Sequence, residues 1–295
     1  MFTYEYAEVN GIRLHYVTEG SGRLILFAHG FPEFWYAWKD QLAEFGRDHQ
    51  AVALDMRGFN LSSKPAEVEQ YQMKYLVEDV RGLVRQLGHE RFTLVAHDWG
   101  GAMAWVFAVT YPDLLDGLVI INSPHPAIFA RELSANPAQQ QASQYMVMLR
   151  GPEAEQTLAA DNYARLRQSF MGDSLWNDIF KEEDRSAYLE AWSQPGALTG
   201  GVNYYRVSRV TPTPTGAQAA QERPSRDLNA LMVRAPTLVI WGEQDRALLT
   251  GNLDGLEQFV PDLTIKRIPD GSHWVIHEHP ALVNRYIREF VERAQ

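Results

Sequence analysis

The sequence predicts an α/β fold built on a mostly parallel sheet, with a helical segment inserted part-way along the chain. Two observations carry this. Short apolar runs bounded by turn residues alternate with amphipathic stretches near both ends of the chain, and that alternation stops between about 128 and 215. Length agrees, since 295 residues with 45% hydrophobic composition can fill one large core plus an appendage.

EYAEVNG and IRLHYVTEG alternate apolar and polar residues around Asn10-Gly11, which predicts a hairpin. LILFAHG (24 to 30) is continuously apolar, as a strand covered on both faces would be. Further strands are expected at AVALD (51 to 55), FTLVAHD (92 to 98), DGLVIIN (116 to 122), PTLVIWG (236 to 242) and LTIKRIP (263 to 269). Helical spacing occupies 36 to 46, 74 to 87 and 99 to 110. A last helix over 280 to 293 starts with Pro280 at its first position and gathers Leu282, Val283, Tyr286, Ile287 and Phe290 on one face. Within the insertion, 138 to 149, 153 to 170 and 183 to 192 have helical spacing. Pro195-Gly196 and the tract TPTPTG (211 to 216) punctuate its end, the latter as a stiff return to the core. The expected division is therefore a core over 1–127, a helical cap over 128–215 and the rest of the core over 216–295.

A net charge of -10 argues against nucleic-acid or anionic-membrane partners, and Lys64 and Arg223 form no basic cluster. The absence of cysteine excludes disulfides, thiol catalysis and thiolate-bound metal. No apolar run reaches the ~18 residues of a spanning helix, and MFTYEYAEVNG lacks a signal pattern, so a soluble cytoplasmic protein is expected. A homo-oligomer is compatible with the sequence.

The chemistry centres on Asp98. FTLVAHDWGG runs from a strand into a small-x-Asp-x-Gly-Gly turn and on into the helical stretch AMAWVFAVTYP, the mechanics of a nucleophile elbow with a carboxylate in place of serine. Alone, Asp98 reads equally well as a helix cap. AHGFPE (28 to 33), Asp245 in WGEQDRA and His273 in DGSHW each have a bland reading as loop residues. Taken together they fall after successive strands in the order nucleophile, acid, histidine, which is the chain order of α/β hydrolases.

The chain resembles the α/β-hydrolase-fold epoxide hydrolases over nearly its full length, through HGFPEFWYAW, DMRGFNLSSKP, HDWGG, NSPHP, LTGGVNYYR and GSHW in order. The resemblance implies an eight-stranded, mostly parallel sheet with an inserted helical cap. It also implies a triad of Asp98, Asp245 and His273, oxyanion amides from Phe31 and Trp99, and no cofactor or metal. A carboxylate with an ordinary pKa of about 3.9 is ionised at neutral pH and can attack an sp3 carbon directly. The epoxide oxygen then needs an acid, which a phenol with a pKa of about 10 can supply. By resemblance these phenols are Tyr205, the second tyrosine of NYYR, and Tyr145, seven residues before Pro152, with Tyr163 and Tyr204 as alternatives to Tyr145. Trp35 and Pro32 are expected in the substrate pocket, and the substrate is expected to be a small apolar epoxide.

Several features compete. His273, His277 and His279 have metal-site spacing but no matching acidic or cysteine partner. HDWGG is shared with haloalkane dehalogenases, yet Phe31 stands where those enzymes carry a halide-binding asparagine. Fluoroacetate dehalogenases carry arginines where this chain has Trp99 and Ala102, and place their acid where it has Asn122. A serine esterase lacks its serine, and a non-catalytic ligand-binding relative predicts loss of a triad member. Asp55 and Arg57 read as organisers of a turn.

Overall fold

The computed structural model describes residues 1–212 and 228–293. Eight strands form one sheet: β1 (Thr3–Val9), β2 (Ile12–Glu19), β3 (Leu24–Ala28), β4 (Gln50–Leu54), β5 (Phe92–His97), β6 (Leu115–Ile121), β7 (Thr237–Gly242) and β8 (Leu263–Ile268). Their order is β1-β2-β4-β3-β5-β6-β7-β8. The first two pairings, β1 with β2 and β2 with β4, are antiparallel, and the others are parallel. The hairpin turns at Asn10 and Gly11, both with positive φ, as a two-residue primed turn requires. Strands β3 and β5 are buried along their whole length, which explains their unbroken apolar runs.

Helices α1 (Lys39–Phe45), α2 (Met73–Gln86) and α3 (Asp98–Thr110) connect the first parallel strands. Among the described residues six more lie between β6 and β7: α4 (Pro126–Ala135), α5 (Pro137–Ala142), α6 (Tyr145–Arg150), α7 (Ala154–Arg165), α8 (Glu182–Ser193) and α9 (Ala197–Val207). Short α10 (Val275–Glu278) and long α11 (Pro280–Arg293) close the described chain. In α11, Val283, Ile287 and Phe290 are buried, while Leu282 and Tyr286 sit half-buried at the edge of the same face.

The insertion departs from its sequence reading in three places. The segment 138 to 149 is two helices, because the chain bends between Ala142 and Tyr145. The segment 153 to 170 is broken by Asp161, Asn162 and Tyr163, all with positive φ, and continues as a π-helical turn, Leu166–Met171. Pro195-Gly196 does not end the helical region, since α9 follows it. Glycines at 200 and 201 disguise α9, but Gly200 is dictated by packing: a Cβ there would lie 2.6 Å from the Gly58 Cα. The expected boundary at 127/128 falls inside α4. The boundary at 215/216, Arg223 and the end of the TPTPTG tract lie outside the described residues.

These helices rest on loops at the carboxyl ends of the strands. Trp192 Nε1 donates to the Pro32 carbonyl at 2.6 Å, Tyr204 to the Arg57 carbonyl at 2.8 Å and Tyr188 to Glu33 at 2.9 Å. Arg57 forms a buried two-pronged pair with Asp79 through Nε and Nη2, and Asp55 gathers His15, Asn60 and the Trp35 N–H, so both organise the turn after β4. Among the described residues no helix is long and apolar enough to cross a membrane.

Candidate active site

Strand β5 passes into α3 with no intervening loop, so Asp98 takes a left-handed φ of 49° at the turn. Such a backbone is strained for most residues and is characteristic of functional turns. Ser123 Oγ donates to the Asp98 carbonyl at 2.7 Å, which secures the turn against the end of β6. Gly30 lets the loop after β3 approach the carboxylate: a Cβ there would lie 2.6 Å from Asp98 Cγ. That approach brings the Phe31 N–H to 2.8 Å from Asp98 Oδ1. Trp99 is the second residue of α3, so its N–H belongs to the first turn, where amides lack intrahelical partners.

The other carboxylate oxygen, Asp98 Oδ2, lies 3.7 Å from His273 Nε2. His273 Nδ1 faces Asp245 Oδ2 at 2.7 Å. Asp245 is held from three further directions: the Ala247 and Leu248 amides donate to Oδ1 at 2.8 and 2.9 Å, and Asn122 Nδ2 donates to Oδ2 at 2.8 Å. Burial disfavours its charge, but His273, the Leu248 amide and Asn122 outweigh that and hold the carboxyl below its ordinary value. Burial likewise opposes a charged His273, yet Asp245, with Asp98 and Glu33, pushes its pKa up to about 9.

Behind the histidine lies a buried polar cluster that the sequence reading did not find. Glu33 accepts from Tyr188, faces His277 Nε2 at 2.6 Å and lies 3.3 Å from His97 Nδ1. Despite burial, the two histidines hold the Glu33 carboxyl far below the carboxylate range. His97 Nε2 in turn donates to the His273 carbonyl at 2.9 Å. His277 is thus engaged with Glu33, and His279 lies 3.7 Å from Asp270. His29 is held neutral by burial; its Nε2 accepts the Met56 N–H and its Nδ1 donates to the Gly30 carbonyl.

Two cavities meet at Asp98, one of about 450 Å³ and one of about 900 Å³. Tyr145 and Tyr205 line both. Tyr205 stands edge-on to Trp99 at 5.0 Å and to Phe31 at 5.4 Å, with the Tyr145 ring 6.0 Å away. Burial and the Asp98 charge raise both phenols well above their ordinary value, so both remain protonated at neutral pH. Tyr204 also walls the smaller cavity, but its hydroxyl is committed to the Arg57 carbonyl, and Tyr163 lines neither.

Contrary to expectation, Trp35 and Pro32 lie outside both cavities that meet at Asp98. The Trp35 ring is packed edge-on against Phe2 and Tyr4 on the far side of its loop, and the Pro32 carbonyl is capped by Trp192. A motif places these residues near the oxyanion loop, but the turn of that loop points them away. Asn122 was the larger omission. Its position at the end of β6 was the available signal, because polar side chains at the carboxyl ends of parallel strands converge on one crevice.

Known proteins share this fold along nearly the whole chain. The α/β hydrolase fold family matches residues 23–280. A Bacillus subtilis protein, AB hydrolase superfamily protein YfhM, is 37% identical over 98% of this chain and 97% of its own. Epoxide hydrolase 3 of Xenopus tropicalis is 36% identical over 96% of this chain and 76% of its own. The chain belongs to the epoxide hydrolase family of the α/β-hydrolase fold. A solved structure of a Bacillus megaterium epoxide hydrolase variant, complexed with its naphthyloxy-propanediol product, superposes with a TM-score of 0.88 at 35% identity. That match covers 98% of this chain and all of the other.

Proposed function

We propose that this protein hydrolyses epoxides to vicinal diols through a covalent ester on Asp98, with the helical insertion serving as a cap over the core. The observation that carries the reading is that two protonated phenols, Tyr145 and Tyr205, share both cavities with a carboxylate whose two oxygens have different surroundings.

Asp98 Oδ1 is held by the Phe31 amide, which leaves Oδ2 to attack an oxirane carbon. The C–O bond of the ring breaks, and the departing oxygen takes a proton from a tyrosine, leaving a phenolate and a neutral ester. Loss of the Asp98 charge removes one of the influences that raise the His273 pKa, so ester formation itself moves His273 towards its neutral, basic form. A water then gives a proton to His273 and bonds to Asp98 Cγ. Negative charge develops on Oδ1, where the Phe31 N–H already points and the Trp99 N–H at the start of α3 adds a second donor. The Cγ–Oδ2 bond breaks, the diol oxygen takes the proton from His273, and the proton of the new carboxylic acid returns to the phenolate. Asp245 orients the imidazole and stabilises its charged form throughout.

The same triad would serve a dehalogenase. Against that, Phe31 offers no side-chain donor to a halide, and the phenols answer a need that only an oxygen leaving group has. A single turnover in 18O-water tests the reading: the label should enter Asp98 while the first diol remains unlabelled. Label in that first diol would exclude the ester, and halide release from a haloalkane without diol formation from styrene oxide would favour the dehalogenase.

A further inference from the structure

The two cavities differ in character and in which catalytic groups they reach. The smaller is walled mainly by apolar side chains, among them Ala102, Val106, Phe129, Met146 and Leu248. The larger carries Gln168, Ser169, Ser174, Gln244 and Arg246. Asp98, Tyr145 and Tyr205 line both, but among the described residues His273 and Asp245 line only the larger, polar one. Its inner wall is built around Phe170, which meets Phe31 and Tyr145 edge-on at 5.5 and 5.9 Å and is anchored by a hydrogen bond from Trp274 Nε1 to its carbonyl.

Resting on the ester mechanism, we propose that the two arms divide the half-reactions. The apolar arm holds the substituent of the epoxide during ring opening, and the polar arm stays filled with the water that His273 activates. A water is held best where space and several polar partners coincide, and the larger arm offers more of both around His273. The substrate class follows: an oxirane with its apolar bulk on one carbon. An epoxide with apolar groups on both carbons would send one of them into the polar arm and displace the water beside His273. The diol, more polar than the epoxide, leaves by the polar arm.

The test separates the two rate constants. Rapid quench of the full-length enzyme with styrene oxide, reading the Asp98 ester by mass, gives ring opening and ester hydrolysis independently. Ser169→Phe and Gln244→Phe narrow the polar arm at exposed positions; each should slow ester hydrolysis about tenfold, with ester accumulating, and leave ring opening within about twofold. Val106→Phe, in the apolar arm, should do the reverse. Hydrolysis unchanged in both polar-arm variants, or ring opening unchanged in Val106→Phe, overturns the division of labour. Absence of any ester in the unmodified enzyme would instead overturn the covalent mechanism, and this proposal with it.

Discussion

Replacing Gly30 by alanine adds one methyl group directly against the Asp98 carboxylate. The new Cβ would lie 2.2 Å from Asp98 Oδ1 and 2.3 Å from Asp98 Cβ, against the 3.4 Å at which ordinary contact begins, so loop and nucleophile must part by roughly 1.2 Å. Asp98 yields little, because its carbonyl is tied to Ser123 and its φ is already left-handed. Turning the side chain leaves Asp98 Cβ in place, so the loop is pushed back and the 2.8 Å bond from the Phe31 N–H to Oδ1 is lost. Misplacement on this scale slows positioned reactions by about 10²-fold, and losing an oxyanion donor acts in the same range, so both ring opening and ester hydrolysis should fall by about two orders of magnitude. Overpacking should cost ~1–3 kcal/mol of stability, less than the ~5–15 kcal/mol by which domains are stable, so the variant stays folded. Single-turnover quench gives the two rate constants, and urea denaturation shows that the variant is folded. A folded Gly30→Ala enzyme retaining both rates within about threefold would refute the close approach of loop and nucleophile.

Tyr205→Phe should slow ring opening by about 10²-fold while leaving any residual haloalkane turnover nearly unchanged, as comparison of the two substrates would show. Asn122→Ala removes a buried donor to Asp245 and the acceptor of the Gly242 N–H, so urea denaturation should register a loss of ~1.5–3 kcal/mol. In the same variant ester hydrolysis should slow more than ring opening, because only hydrolysis needs a correctly held His273. The folded His273 pKa of about 9 exceeds its ordinary 6.5, so its stabilising contribution is complete below pH 6.5 and is lost as pH rises through 9. Across that window stability should fall by at most ~3 kcal/mol on this account, and His273→Gln should flatten the decline in denaturation profiles measured at successive pH values.

Much of this protein is written in short-range patterns. Apolar runs at strand length and a 3.6-residue period report how a segment meets a core, and both properties belong to a few consecutive residues. The eight strands were legible for that reason. So was the convergence of Asp98, Asp245 and His273, since each sits just past a strand and parallel strands bring their carboxyl ends to one crevice. Helix α9 was not legible, because Gly200 and Gly201 look like a break until Gly58 is found pressed against the first and the Phe31 ring against the second. Trp35 was misplaced for a related reason: a motif states that a residue lies near the oxyanion loop but not which side of it the ring takes. What only the tertiary structure decided are the relations between residues far apart in the chain. These include Asn122 bracing Asp245 across 123 positions, Glu33 gathering His97 and His277, and two cavities that share Tyr145 and Tyr205 while admitting His273 to one alone. Distances of that kind, and the shifts in proton affinity they cause, arise from packing, and no local periodicity encodes them.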